Sequence, residues 1–444
     1  MKKEKKMKKS FKTLFSLCAS AALMVGCSQS AKDSLKSDDS KSNGSASGEA
    51  IEIEYWYGLG SVAGETMEEI IGEFNASQDE VVVKGVAQAS YDDTLKELQA
   101  ALAAKKAPAV FINGSPRSTV EQDFVEPMDD LPSDLFNEGD YLDVFWEQGI
   151  INDKRYGLPG YGTTQVMYYR HDILEKAGID GEEMYSSWEN IRKYSEELIK
   201  GGHVDQGHLP MYGSGNMIDI ALSNGGSVYS EDGKTVTINS PEWVEAWSFI
   251  QKGIQDKIWH VNSGGQGWEY WYNTIDEVMV GKAAGYTGSS GDKGDLDFEI
   301  ISSTEQPGLN GNEGKPTAGG HQFSISKGTP EDAKQAAYKF IAYFMSPEVQ
   351  SKWSQKIGYI PVNKKTIELD EYAKFLEENP AYAVPYQQAL HATPSIVDPT
   401  GGKITDAIGI AVDKVQLEGI DPKTALDEAQ KKAQEALDEY LAKQ

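Results

Sequence analysis

Tyr156-Gly-Leu-Pro-Gly-Tyr-Gly-Thr-Thr-Gln-Val-Met-Tyr-Tyr-Arg170 is the stretch on which the reading of this chain turns. Glycines at 157, 160 and 162, with Pro159, predict a bendable approach, because glycine tolerates unusual backbone angles and proline fixes one. The apolar, aromatic run at 166–169 predicts a buried strand. One set of alternating strand and helix patterns precedes the stretch, and a second follows it. The stretch is therefore expected to make the first crossing between two lobes, with a ligand held between them.

Toward the N terminus, Ile51-Glu-Ile-Glu-Tyr-Trp-Tyr57 alternates as a strand, and Gly58 to Gly64 reads as a turn. Met67, Ile70, Ile71 and Phe74 then recur at helical spacing. Residues 81–83 predict a second strand, Leu95, Leu98 and Leu102 a second helix, and 109–112 a third strand. Strand, helix, strand, helix, strand at this spacing means right-handed crossovers and a parallel sheet. Ligands meet such sheets past the carboxyl ends of strands, here 55–60, 88–91 and 113–117.

Toward the C terminus, Ser186 with Glu189 predicts a capping box. Residues 227–238 predict a hairpin across Asp232-Gly233, and Ser240-Pro-Glu242 a helix start. Residues 283–291 couple a small strand to a Gly-rich bend, expected to be a second crossing. A third crossing is expected near Ser346-Pro-Glu348. From Pro422 onward an Ala-rich pattern predicts a helix with one solvated face.

The chain has 444 residues, more than one hydrophobic core ordinarily holds, so two domains are expected. A net charge of −27 argues against nucleic acid as a partner. Only Cys18 and Cys27 occur, both near the N terminus, so the body has no disulfide, cysteine metal site or thiol nucleophile. The first 26 residues hold seven lysines and one glutamate, and an apolar run at 14–25 follows the basic start. That is a secretion signal, too short for a stable membrane span. Met24-Val-Gly-Cys27 resembles the lipobox of bacterial lipoproteins, which implies a diacylglycerol thioether on Cys27. Residues 27–49 are polar and predict a disordered tether. The expected boundaries are 50–162 with 288–345 for the N-terminal lobe, and 163–287 with 346–444 for the C-terminal lobe.

Motifs for chemistry are sparse. The turn Gly58-x-Gly60-x-x-x-Gly64 has one residue too many for a dinucleotide fingerprint. There is no P-loop, no His-Glu-x-x-His and no Gly-x-Ser-x-Gly, and the six histidines are scattered as core or solvated residues. No catalytic residue, metal or cofactor is expected, although a glycosidase carboxylate pair is invisible to sequence spacing. What stands out is aromatic residues near bends: Tyr55, Trp56, Tyr57, Tyr91, Tyr161, Trp268, Tyr270, Trp271 and Tyr359. Their flat, stiff faces suit the C–H faces of sugar rings, with Ser, Thr, Asn and Asp for the hydroxyls. For any one of them, a place in the core is about as good a reading.

Taken in order, several segments resemble family 1 of the extracellular solute-binding proteins of ABC importers. They are Tyr55-Trp-Tyr57 with Phe74-Asn-Ala-Ser77, Ala107-Pro-Ala-Val110, Val166 through Leu174, Asn224-Gly-Gly226 with Asp232-Gly233, Val280-Gly-Lys-Ala-Ala284, and Ser346-Pro-Glu348 with Gly358-Tyr-Ile-Pro361. The resemblance implies a two-lobed α/β fold of the type II periplasmic-binding-protein kind, with hinge crossings and an interlobe cleft. It also implies a permease partner, a membrane-surface location and a monomer. Compared with the glycerol-3-phosphate binders of that family, matching positions are Tyr91, Ser115, Thr163, Ser289, Gly320 and Tyr359. Ser115 stands where the family has an acid. The arginine that grips phosphate falls on Gly409, so a neutral sugar is the better expectation. Trp56, Tyr57, Trp268 and Trp271 complete the expected ligand contacts. Rival readings are a surface glycosidase, a receptor without a permease, and a glycerol-3-phosphate or glycerophosphodiester binder.

Overall fold

The computed structural model describes residues 50–114 and 116–443. The signal segment, Cys27, the tether and Ser115 lie outside the described residues. The strands are β1 (Ile51–Tyr57), β2 (Val81–Ala87), β3 (Val110–Asn113), the short pair β4 (Ile150–Ile151) and β5 (Lys154–Arg155), β6 (Leu158–Arg170), β7 (Gln206–Leu209), β8 (Ala283–Ser289), β9 (Ile301–Thr304), β10 (Thr317–Ile325) and β11 (Thr393–Pro394). Apart from the β4–β5 ladder they form one continuous run, in the order β2-β1-β3-β10-β6-β8-β7, with β9 on β6 and β11 on β10. As the alternating pattern predicts, β1, β2 and β3 are parallel.

The run serves two lobes, each with apolar residues on both faces of its strands. In the first lobe Ile53, Tyr55, Tyr57, Val110 and Ile112 face a large core with Phe340, Phe344 and Trp353. Phe111 faces the opposite side with Leu98 and Phe124. In the second lobe Met167 joins Trp188, Trp243, Trp247 and the C-terminal helices, while Val166 and Tyr168 face Leu209, Ile275 and Tyr286. Strand alternation produces this division, because successive side chains point to opposite faces.

β6 belongs to both lobes. It pairs antiparallel with β10 from Leu158 to Thr164 and with β8 from Gln165 to Tyr169. The glycines before the crossing do something other than bend: none of 157, 160 and 162 has a positive φ. They admit close packing instead. A Cβ on Gly162 would lie 2.2 Å from the Phe145 ring, and one on Gly160 would lie 2.8 Å from Ile112 Cδ1. The strand accordingly starts at Leu158, well before the apolar run that signals it.

Other expectations shift in register. The helix cap is Ser187, which accepts from the Asn190 amide at 3.1 Å, one residue past the expected Ser186. The expected hairpin at 227–238 is a single antiparallel bridge, Tyr229 to Val236. The segment 346–362 does not leave the first lobe. Val349, Trp353, Ile357, Ile360 and Val362 all join its core, and Lys352 and Lys356 pair with Glu69 on the helix Ser61–Ser77. Ser346-Pro-Glu348 thus turns a corner within a lobe. Conversely, Ile301 and Leu309 pack with the second lobe, although 288–345 was expected in the first.

Two glycine substitutions separate the roles. Gly162→Ala is expected to lower stability by about 1–3 kcal/mol through overpacking against Phe145. Gly72→Ala, exposed on the helix Ser61–Ser77 with nothing within 4 Å of its Cβ position, is expected to raise it by about 0.5–1 kcal/mol. Denaturant midpoints check both signs; a neutral Gly162→Ala contradicts the packing reading.

Candidate ligand-binding site

A cavity of about 290 Å³ opens where β6 changes partners. Along β6 the residues around the change alternate, Thr163 and Gln165 partly open and Thr164 buried. Neither ladder continues across this point, the β10 pairing ending at Thr164 and the β8 pairing beginning at Gln165, which leaves the strand open to the cavity. The strand ends supply further walls: Gly58, Leu59 and Gly60 after β1, and Tyr91 after β2. Ser289, Gly291, Asp292 and Asp295 come from the end of β8, and Thr317, Gly319 and His321 from β10. Trp268, Trp271 and Tyr272 enter from the start of the helix Glu269–Met279.

The aromatic residues form a fixed frame. The Tyr91 and Tyr161 hydroxyls share a 2.6 Å hydrogen bond. The His321 ring lies 4.2 Å from Tyr91 and 5.1 Å from Tyr161, and Tyr161 stacks on Tyr359 at 4.4 Å. Tyr359 is delivered by Gly358, whose φ of +91° ends the helix Pro347–Ile357; a Cβ there would lie 2.3 Å from the Ser290 carbonyl. Left-handed geometry and close approach together call for glycine. Trp268 Nε1 donates to the Gly58 carbonyl at 3.4 Å, tying the second lobe's aromatic segment to the first lobe. Trp271 Nε1 donates to Asp292 Oδ1 at 2.8 Å.

The hydroxyls gather beside this frame. Thr163 Oγ1 shares contacts with Ser289 Oγ at 3.2 Å and Ser290 Oγ at 3.3 Å. Thr317 is anchored by the buried Asp219, which accepts from its amide and its hydroxyl, each at 2.8 Å.

Electrostatically the cavity carries acids and no lysine or arginine. Burial pushes the Asp292 carboxyl up to about 8, although Trp271 and Tyr286 donate to it. Asp295 is raised for the same reason. His321 is driven down to about 4 by burial and is neutral near pH 7. Lys293, next to Asp292 in sequence, is turned away and donates to the Ala381 carbonyl beside the Tyr382 ring. No cluster of three or more His, Cys, Asp or Glu suited to a metal occurs among the described residues. The arrangement offers stacking faces, hydroxyls and carboxyls, and no activated nucleophile.

Of the positions expected from sequence, Tyr91, Thr163, Trp268, Trp271, Ser289 and Tyr359 line this one cavity. Trp56, Tyr57 and Gly320 do not. Trp56 sits at the strand position that faces away from the main core, against the cluster of Leu98 and Phe111. Tyr57 is 1 % exposed, with its hydroxyl on Glu68. The Gly320 amide donates to Gln148 Oε1 at 2.8 Å, outside the lining. Residues that sequence reasoning missed are Gln165, Tyr272, Asp292, Asp295, Thr317, His321 and Ser395. Only Asp292 had a signal, its place just past the Gly-rich bend at 285–291.

The fold and the cleft where β6 changes partners define a two-lobed α/β protein. The model of the bacterial extracellular solute-binding protein family matches residues 69–383, and the chain belongs to that family. The sn-glycerol-3-phosphate-binding periplasmic protein UgpB of Shigella flexneri serotype 5b is 22% identical over 360 residues, covering 77% of this chain and 81% of that protein. Among solved structures, the GacH receptor of Streptomyces glaucescens, studied unliganded and with acarbose, is similar with a TM-score of 0.78 at 18% identity, covering 88% of this chain and 99% of that one. UgpB from Mycobacterium tuberculosis in complex with glycerophosphocholine has a TM-score of 0.77 at 22% identity, covering 88% of this chain and all of that one. These relatives are binding proteins rather than enzymes.

The Asp292 carboxyl yields a signed prediction. Its value rises on folding from about 3.8 to about 8, so the folded state holds the proton more tightly. Its contribution to stability therefore falls as pH rises from about 4 to about 8, and is flat above that range. Asp292→Asn removes this slope. Denaturant unfolding across that range should show the wild type losing stability relative to the variant; a pH-independent difference contradicts the assignment.

Proposed function

We propose that this chain is the lipid-anchored substrate-binding component of an ABC importer, capturing a neutral sugar or oligosaccharide in its interlobe cleft and passing it to a permease. The observation that carries the ligand class is the lining itself. Five aromatic side chains, Tyr91, Trp268, Trp271, Tyr272 and Tyr359, stand among hydroxyls and carboxyls, with no cationic side chain. Sugar C–H faces stack on such rings, and sugar hydroxyls both donate and accept, which matches this polar set. Thr163 and Ser289 are the hydroxyl readers, and Trp268 and Trp271 the stacking faces. Ser115 remains a proposed contact. The lining does not favour Trp56, Tyr57 or Gly320 as contacts.

Names of relatives favour a second reading, glycerol 3-phosphate or a glycerophosphodiester. Phosphate recognition leans on Arg or Lys, and the cavity supplies neither. The core assignments favour placing 50–162 and 317–362 in the first lobe, and 166–309 and 404–441 in the second. Closure of the lobes around the ligand excludes water, so an unmatched polar group on a wrong ligand is penalised. The protein acts as a monomer, holds its ligand without turnover and works at the outer face of the cell membrane through the Cys27 anchor.

Calorimetry of the purified protein against sugars, oligosaccharides and glycerol phosphates tests the ligand class. A saccharide is expected to bind with micromolar affinity, about 8 kcal/mol, and glycerol 3-phosphate to give no heat; the reverse pattern overturns the reading. Trp271→Ala is expected to weaken the saccharide about tenfold through lost stacking. Release of Cys27→Ser protein into the medium checks the anchor, and retention at the membrane contradicts it.

A further inference from the structure

Three connections join the two cores. The first is β6 at its change of partner, and the second is the segment from β9 to β10, which pair with opposite halves of β6. The third runs from Val362 of the first core to Ile404 of the second. All three meet in one ring of buried hydrogen bonds, behind the wall of the cavity that Thr164, Gln165 and Thr317 line. Asp219, on the helix Ser214–Leu222 of the second lobe, is the only ionisable member of the ring.

The bonds run round the ring without a break. Thr317 donates to Asp219 Oδ1 through its amide and through its hydroxyl, each at 2.8 Å. Gln306 Nε2 donates to Asp219 Oδ2 at 2.8 Å and to the Gln165 carbonyl at 2.9 Å. Gln388 Nε2 donates to that same carbonyl and to Thr164 Oγ1, both at 2.6 Å. Thr164 Oγ1 donates onward to the Thr317 carbonyl at 2.8 Å, and the Gln306 amide donates to Gln388 Oε1 at 2.8 Å. The side chains of Asp219, Gln306, Gln388 and Thr164 are all buried.

Both oxygens of Asp219 face donors only. A carboxylate accepts at both, whereas an amide of the same shape carries hydrogens on one side. With Asn at 219, Nδ2 meets either the Gln306 Nε2 hydrogens or the Thr317 amide. Turning the Gln306 side chain over would instead set its oxygen against the Gln165 carbonyl. A buried carboxylate without a cation is costly, and burial pushes this one up to about 6. No charged side chain acts on it, from its ring partners or from the helices Pro241–Gln255 and Lys403–Gln416 that pack on its own helix. It is ionised near pH 7, where the ring closes.

We propose that Asp219 is the positioning residue of the hinge: by closing this ring it fixes the three connections against one another, and with them the angle between the lobes and the places of Thr164, Gln165 and Thr317 in the cleft. The role is independent of which ligand the cleft takes.

Spin labels on Gln99→Cys and Lys200→Cys, exposed positions in the first and second lobes, measure that angle in ligand-free protein. The background carries Cys18→Ser and Cys27→Ser, which leaves no other cysteine. Above about pH 7, double electron–electron resonance is expected to give a narrow distance distribution with Asp at 219, and one about twofold wider in Asp219→Asn. Lowering the pH to about 5 protonates Asp219 and is expected to widen the first distribution toward that of the variant, which itself stays unchanged. Thr317→Val, which keeps the amide bond to Oδ1, is expected to widen it less. Thermal melts confirm that each variant is folded; should Asp219→Asn not fold, the pH series with Asp at 219 decides. Equal widths with Asp and Asn, a width with Asp that does not respond to pH, or a pH response that the variant shares overturns the positioning role and leaves the sugar reading standing.

Discussion

One extended strand shared by two cores is the constraint on which this molecule depends. β6 is thirteen residues long, hydrogen-bonded to β10 over its first half and to β8 over its second. Because each half is buried in a different lobe, the lobes cannot separate without breaking one ladder, yet no apolar layer spans the change of partner. The crevice is where the partners change. Polar Thr163 and Gln165 are tolerated mid-strand because that is the only part of β6 facing the cleft rather than a core.

The remaining walls follow from the same geometry. β1, β2 and β8 all end at the crevice, which brings Gly58, Tyr91 and Ser289 together from distant parts of the sequence. Packing then fixes the frame: Trp353 in the first core lies 6.0 Å from Tyr359, which stacks on Tyr161, which bonds Tyr91. Ring positions in the site are therefore set by the lobe's interior. A site held this way is largely pre-formed, which reduces the ordering cost of binding.

Much of this was legible in the sequence, for physical reasons that differ by residue. Alternation along 51–57 and helical spacing at 67–74 report burial directly, so the parallel β1-β2-β3 unit could be read without structure. The same alternation, applied strictly, separates Trp56 from the core face that Tyr55 and Tyr57 share; reading all three by residue type merged positions that point opposite ways. Glycines at 160 and 162 looked like hinges because sequence does not show what lies across from them. Phe145 and Ile112 do, through contacts that fold together only in the tertiary structure. His321 was invisible for a related reason, and Asp292 was marked only by its place past the Gly-rich bend: a buried polar group has no periodicity, and its environment comes from strands far away in the chain. The corner at Ser346-Pro-Glu348 was seen as a helix start, which it is, but a local cap carries no information about which core the next helix joins.

Hydrogen–deuterium exchange of the protein, with and without a saturating saccharide, shows whether the ligand sits where β6 changes partners. Slowed exchange is expected, confined to the segments that converge on the change of partner, around 58–64, 89–93, 163–166, 266–273 and 289–295. Unaltered exchange there, with protection instead at the surface groove formed by Arg192, Phe249 and Asn310, would contradict it.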